Sequence, residues 1–572
     1  MRLSKALILA TAMTGLAFAG CNKGGDGEGG AGKPAAQQAQ AGAQGAAGSA
    51  PTAAASAMLA HIPADSPYVF ASGQPMPKEA MDKIFGLFEP LTKKLDEELT
   101  KALAEPASDR PEEKVGRALA EELKGNFNRA GLEKLGIDTQ PMFALYGVGV
   151  LPVMRLTLKD PNAFKAMIGR VETKSGMKAP TAKLGELEYY KISDDGVTAA
   201  IAIIGNELVA TGGPDGAMAK LLPLAFGQEK PAKTFADAGT LAQINSAYGF
   251  QAFGTGVIDL NVIAATVMGD ATGTNKAIWD AIGAPTPPLD GVCKGEIKAM
   301  VAKAPRMVFG YTEMSASTWA AKYVVELDAG LAKDLAGLTA KLPGAMADKA
   351  LMQFGLGLDV GKTIEFAKAQ VKALQAAPFK CQQFAEFNEG VNQAAAGMNQ
   401  PLPPVINGLR GLRVVLESGE FTGGQPKNIK GYALLAAEGA DQLLAMAKGM
   451  VPPLASLNVA ADGKAVALPP GMIPPVVEAP HIAMNNAAIA VSVGQGVEAK
   501  LSGLLSAAPA EAPVLHFGYD VGEFMKLIQQ SAPMGGEEKA ILEALGGAMG
   551  YTSYGLHFTA KGIEIRQQMK LN

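Results

Sequence analysis

Several stretches of this chain carry residue types and spacings that could do chemistry. Gly361-Lys362-Thr363 has the ending of a phosphate-binding loop. A loop that wraps phosphates in its backbone N–H groups also needs glycine five positions before that ending. Position 356 is Leu, with Gly355 and Gly357 on either side, so the loop is not completed. Ser175-Gly176-Met177-Lys178 has the spacing of a serine nucleophile served by a lysine, but the Ser-x-Asn and Lys-Thr-Gly elements such a site requires do not follow in order. There is also no Gly-x-Ser-x-Gly elbow.

Carboxylates are the next candidates. Asp259, Asp359 and Asp520 each close a strand-like, glycine-containing stretch that runs into a helical one, as in Phe253-Gly254-Thr255-Gly256-Val257-Ile258-Asp259 and Phe517-Gly518-Tyr519-Asp520. Paired carboxylates serve acid–base chemistry or bind cations. However, a recurring Asp at a strand-to-helix handover is the residue type that caps exposed backbone N–H groups. Asp160, followed by Pro161, reads as a fourth cap with proline in the first turn. The four histidines, His61, His481, His516 and His557, show no His-Glu-x-x-His pattern or shared helix face, so no zinc site is expected. The 25 methionines form no tight Met-x-x-Met cluster and read as core filler. No cofactor and no metal are expected.

The elements that would position these residues are short strands interleaved with helices. Tyr68–Ala71 reads as a strand. Met81, Ile84, Phe85, Phe88, Leu91, Leu95 and Leu99 follow helical spacing, and a break at 106–111 leads to a second helix over 112–124. From about residue 140 the chain resembles itself at a shift of 280. Asn206-Glu207-Leu208-Val209-Ala210, with Gly216, Ala219, Lys220 and Leu221, falls on Asn486-Ala487-Ala488-Ile489-Ala490, with Gly496, Ala499, Lys500 and Leu501. The same shift places Val153–Leu158 on Ala433–Glu438. The repeating unit reads as strand, helix, β-hairpin, helix, with hairpin turns at Gly205-Asn206 and Asn485-Asn486. Gly310-Tyr311-Thr312 and Gly550-Tyr551-Thr552 open further hairpins, the second ending in the alternating Ile563-Glu564-Ile565-Arg566. The expected class is α+β: an internally duplicated module of antiparallel sheet with helices on one face, preceded by an N-terminal helical segment. The proline-rich stretch 469–475 reads as a stiff exposed loop.

The N-terminus supplies an address. Arg2 and Lys5 precede an apolar run over 6–17 that closes on Phe18-Ala19-Gly20-Cys21. This resembles the lipobox of bacterial lipoproteins, and the resemblance covers residues 1–21 only. It implies removal of 1–20, acylation of Cys21 and, with Asn22 rather than Asp following, an outer-membrane anchor facing the periplasm. Residues 21–56, rich in Gly, Ala and Gln, then read as a flexible tether. Two halves, 57–320 and 321–572, are expected beyond it.

Composition narrows the partners. The chain has 51 Lys+Arg against 55 Asp+Glu, net −4, and no dense basic cluster, which argues against nucleic acid. No stretch offers the ~18 uninterrupted apolar residues of a membrane span. Of three cysteines, Cys21 is assigned to lipid, so Cys293 and Cys381 are expected to pair in an oxidising compartment, closing a loop worth roughly 4 kcal/mol. The expected function is non-catalytic: an envelope interaction or scaffold protein. The alternative is a carrier that holds a hydrophobic ligand between sheet and helices.

Overall fold

The structure, a computed structural model, describes residues 51–106, 110–344, 349–398, 403–422, 425–469, 478–531 and 535–572. The lipobox, Cys21, the tether to residue 50 and most of the proline-rich stretch lie outside the described residues. Helices and a large antiparallel sheet share the chain, which is therefore α+β. It forms two compact units, 51–287 with 310–316 and 288–309 with 317–572.

The first unit contains, in order, α1 (Ala53–Leu59), β1 (Tyr68–Ala71), α2 (Lys78–Ala104), α3 (Pro111–Leu123), α4 (Arg129–Lys134), β2 (Phe143–Val148), β3 (Leu151–Thr157), α5 (Pro161–Ser175), β4 (Thr181–Leu184), β5 (Leu187–Asp194), β6 (Val197–Ile204), β7 (Glu207–Pro214), α6 (Asp215–Ala225), α7 (Thr240–Tyr248), β8 (Thr255–Asp259), α8 (Leu260–Val267) and α9 (Gly273–Ile282). The strands lie side by side in the order β4-β5-β6-β7-β3-β2-β1-β8, every pair antiparallel. The two helices expected near residues 81–124 are therefore inserted between adjacent strands β1 and β2. Leu95 and Leu99 of α2 pack on Ala120 of α3 to form a small core of their own.

The remaining elements are α10 (Gly291–Lys303), β9 (Arg306–Met314), β10 (Thr318–Glu326), α11 (Ala329–Ala336), β11 (Lys341–Pro343), β12 (Met352–Leu356), α12 (Val360–Ala376), α13 (Ala385–Met398), α14 (Pro404–Asn407), β13 (Leu409–Thr422), β14 (Gln425–Ala437), α15 (Ala440–Met450), β15 (Val466–Ala467), β16 (His481–Asn485), β17 (Ala488–Val493), α16 (Leu501–Ser506), β18 (Pro509–Glu511), β19 (Leu515–Asp520), α17 (Val521–Ser531), α18 (Gly536–Ala548), β20 (Met549–Thr559) and β21 (Gly562–Leu571). The second unit's main sheet runs β15-β16-β17-β14-β13-β12-β19-β20-β21-β10, again antiparallel throughout.

Two expectations are corrected here. Helices cover both faces of this sheet. Successive residues of β17 point to opposite sides: Ala488 and Ala490 join Leu501 and Leu505 of α16, whereas Ile489 and Val491 pack with Ala440 and Leu444 of α15. A strand apolar at successive positions, as over Ala488–Val491, is the mark of burial on both faces. The second hairpin turn is Asn486-Ala487 rather than Asn485-Asn486, because Asn485 pairs with Ala488 in the ladder. The Asn485 Oδ1 accepts the Ala487 and Ala488 N–H groups at 2.9 and 2.8 Å and so closes the turn. Gly205-Asn206 is found as expected, with Gly205 at φ 59°.

Candidate functional site

Registry across the second unit's sheet aligns side chains into rows on one face. One row runs Val414, Phe354, Phe517, Tyr554, Gln567 and Ala321, across β13, β12, β19, β20, β21 and β10. The neighbouring row on the same face runs Leu412, Leu356, Leu515, Leu556, Ile565 and Tyr323. Neither row contains a charged residue. A third row, through Met352 and Tyr519, is roofed by α17, whose Phe524 ring lies 5.2 Å from that of Tyr519. On the β14–β17 side the same face is closed by the α15 core. Between these covers the floor is open: Val414, Leu515, Phe517, Tyr554 and Ile565 are 36–43% exposed. Large apolar side chains left open together are the usual mark of a binding surface.

The opposite face of the same strands is buried and polar. Arg413 and His516 stand on either side of Gly355 in one row, and the missing side chain leaves room between them. Arg413 donates to the Gly344 carbonyl at 2.7 Å. The Gln353 amide donates to the Tyr551 hydroxyl, in the next row. Burial, with the Arg413 charge adding to it, lowers the His516 pKa to about 4, so the ring is neutral and its Nε2 has no hydrogen-bond partner. Burial also raises the Tyr432 hydroxyl and lowers the Arg413 guanidinium.

The first unit has a comparable buried cluster. Arg155 forms an ion pair with Glu207 at 2.6 Å and donates to the Tyr146 hydroxyl at 3.2 Å and the Ala225 carbonyl at 2.6 Å. Burial first, and then the charges of Arg155 and Lys230, hold the His61 pKa down to about 4. Of these buried groups the sequence singled out only His61 and His516, as histidines outside any zinc pattern; Arg155, Tyr146, Arg413 and Tyr432 were missed. For Arg155 a signal existed: it follows Leu151 and Val153 at inward-facing parity.

Of the residues expected to matter, the two cysteines are brought together and the four aspartates each sit at a different helix start. Cys293, in α10, and Cys381, just before α13, have their sulphurs 2.17 Å apart, at disulfide distance. Glu296 supports the bridge by accepting the Lys380 and Cys381 N–H groups at 2.7 and 3.0 Å. Asp160 accepts from Asn162 and Ala163 N–H, and Asp259 from Val262 N–H. Asp359 and Asp520 likewise accept from Lys362 and Glu523 N–H, at 3.0 and 2.9 Å. Each carboxylate serves the start of its own helix. Asp359 also takes an ion pair from Arg410 at 3.3 Å, and the Lys362 ammonium lies 3.5 Å from it. Ser175 ends α5, where Gly176 turns left-handed. Among the described residues no group of three His, Cys, Asp or Glu could hold a metal, and no helix is long and apolar enough to cross a membrane.

Comparison with protein-family models, with curated proteins and with solved structures finds no match to this chain.

Proposed function

We propose that this protein is a lipid-anchored, non-catalytic component of the bacterial envelope whose second unit holds a hydrophobic ligand on the open face of its sheet. The observation that carries this reading is the pair of uncharged rows through Phe517 and Leu515, left half open between α15 and α17. The address rests on the lipobox-like Phe18-Ala19-Gly20-Cys21 with Asn22 after it: an outer-membrane anchor at Cys21, facing the periplasm. The absence of catalysis rests on motifs that the sequence starts and does not complete. Membrane contact is through the lipid, and nucleic acid is not a partner.

We also infer that the two units descend from one duplicated module. The strand orders support it: β6-β7-β3-β2-β1-β8 in the first unit matches β16-β17-β14-β13-β12-β19 in the second. Asp259 and Asp520 end the matching strands β8 and β19, and both cap the helix that follows. A shift of 280 carries the Val153–Thr211 pair onto Ala433–Val491.

Native mass spectrometry of the full chain carrying Cys21→Ser, purified after export, tests the ligand. Retention of an additional mass of lipid size is expected. A bare monomer that also takes up no added hydrophobic compound would sink the carrier reading and leave the scaffold. One observation favours that second reading. Around the Cys293–Cys381 bridge, Val292 and Phe387 are exposed, and Phe387 meets Phe379 edge to face with ring centres 5.6 Å apart. A stapled, aromatic surface of this kind suits an envelope protein partner.

A further inference from the structure

The shape of the open floor narrows the ligand, an inference that rests on the carrier reading above. The exposed positions Val414, Phe517 and Leu515, Tyr554 and Ile565 step across β13, β19, β20 and β21, with Phe354 and Leu356 of β12 filling the gap. At the usual strand spacing this strip is roughly 19 Å long, and two rows make it only about 7 Å wide. α17 over the Tyr519 row bounds one long side, and the α15 core beside β14 closes the β13 end. A docked protein would need on the order of one hydrogen bond per 100–200 Å² and a polar rim. Here the two rows offer Gln567 and the hydroxyls of Tyr554 and Tyr323, all at one end, and no charge. An uncharged floor is complementary to an uncharged ligand, and a long narrow strip to a linear one. We propose that the strip through Leu515 and Phe517 binds the fatty-acyl chain of a lipid, laid across the strands.

The test uses the full chain carrying Cys21→Ser, with Leu515→Trp as a fluorescent reporter in the strip and Val414→Trp as a second reporter should the first fail to fold. Dibrominated stearic acid is the acyl probe, and bromonaphthalene is a compact ring probe of similar quenching chemistry. Saturable quenching by the acyl probe is expected, weakened roughly ten-fold or more by adding Phe517→Lys, which puts an ammonium on the floor. Circular dichroism of each variant verifies that it is folded. Quenching by bromonaphthalene alone, or equally by both probes, overturns the acyl assignment and leaves the hydrophobic-ligand reading standing. Quenching by neither overturns both. Quenching by the acyl probe that Phe517→Lys leaves unchanged in a folded chain places the ligand elsewhere and overturns the strip.

Discussion

Arg155 and Tyr146 are diagonal neighbours across the β2–β3 hairpin, joined by the 3.2 Å hydrogen bond from the guanidinium to the phenol. Arg413 and Tyr432 are diagonal neighbours across the matching β13–β14 hairpin, with the strands exchanged: arginine comes first and tyrosine second. All four side chains are buried. Arg155 also pairs with a carboxylate, Glu207, on β7.

That ion pair leads to a stability prediction for the first unit. Removing one partner of a buried ion pair leaves an uncompensated charge, at a cost of about 3–5 kcal/mol. Glu207→Gln should lower the urea midpoint of the first unit accordingly. The double variant Arg155→Met/Glu207→Met, which removes both charges, should lose less than Glu207→Gln alone. An equal or larger loss in the double variant would count against charge neutralisation as the role of Glu207.

The buried histidines set an acid limit. His61 and His516 titrate near 4 in the fold, against an ordinary 6.5. Between those values the unfolded chain binds more protons, so stability rises with pH through the window. The contribution is complete above 6.5 and is lost as pH falls towards 4. Urea midpoints measured at pH 7 and pH 5 should differ, and His516→Gln should shrink that difference. A variant with an unchanged difference would show that His516 does not carry its share.

The bridge between Cys293 and Cys381 closes a loop of 88 residues. Constraining the unfolded chain over such a loop is worth roughly 4 kcal/mol in the chain-entropy account. Cys293→Ser/Cys381→Ser should lower the melting temperature of the second unit and abolish its sensitivity to reductant. A melting temperature that stays put would mean that the bridge does not hold this unit together.

Helix caps predict smaller, local effects. Asp520→Ala and Asp259→Ala each remove an acceptor for one backbone N–H, at a cost of about 1 kcal/mol. Hydrogen exchange should quicken in the first turn of α17 for the former and of α8 for the latter, with little change elsewhere. Exchange that speeds up across the whole unit would point to a role beyond capping.

Much of the framework was legible because short-range chemistry decides it. The Asp-terminated strands and the tight turn at Gly205 need only local residues to be recognised. Under the duplication proposed above, the shift of 280 puts side chains on the wrong face. Buried Val209 and Thr211 correspond to buried Ala490 and Ser492, a shift of 281, while Pro161 and Ala440 open matching helices at 279. The average pairs the right strands, but a one-residue slip turns every side chain over. The strand glycines were visible too, but what fills the space above them is tertiary. A Cβ on Gly310 would lie 2.7 Å from the Phe250 ring, and one on Gly254 would lie 3.2 Å from that of Tyr311. The open strip was beyond reach for the same reason, since its five exposed residues come from four strands that only the registry brings together.

The Cys293–Cys381 link also has a mechanical meaning. It encloses β10 and β12, both inner strands: β10 lies between β21 and β9, and β12 between β13 and β19. A pull applied between residues 51 and 572 can straighten everything outside the link but nothing within it. The bridge withholds roughly 300 Å of contour from stretching, at about 3.4 Å per extended residue over the 88-residue loop. For the lipid anchor proposed above, that sets how far the body can be drawn out before a covalent bond carries the load.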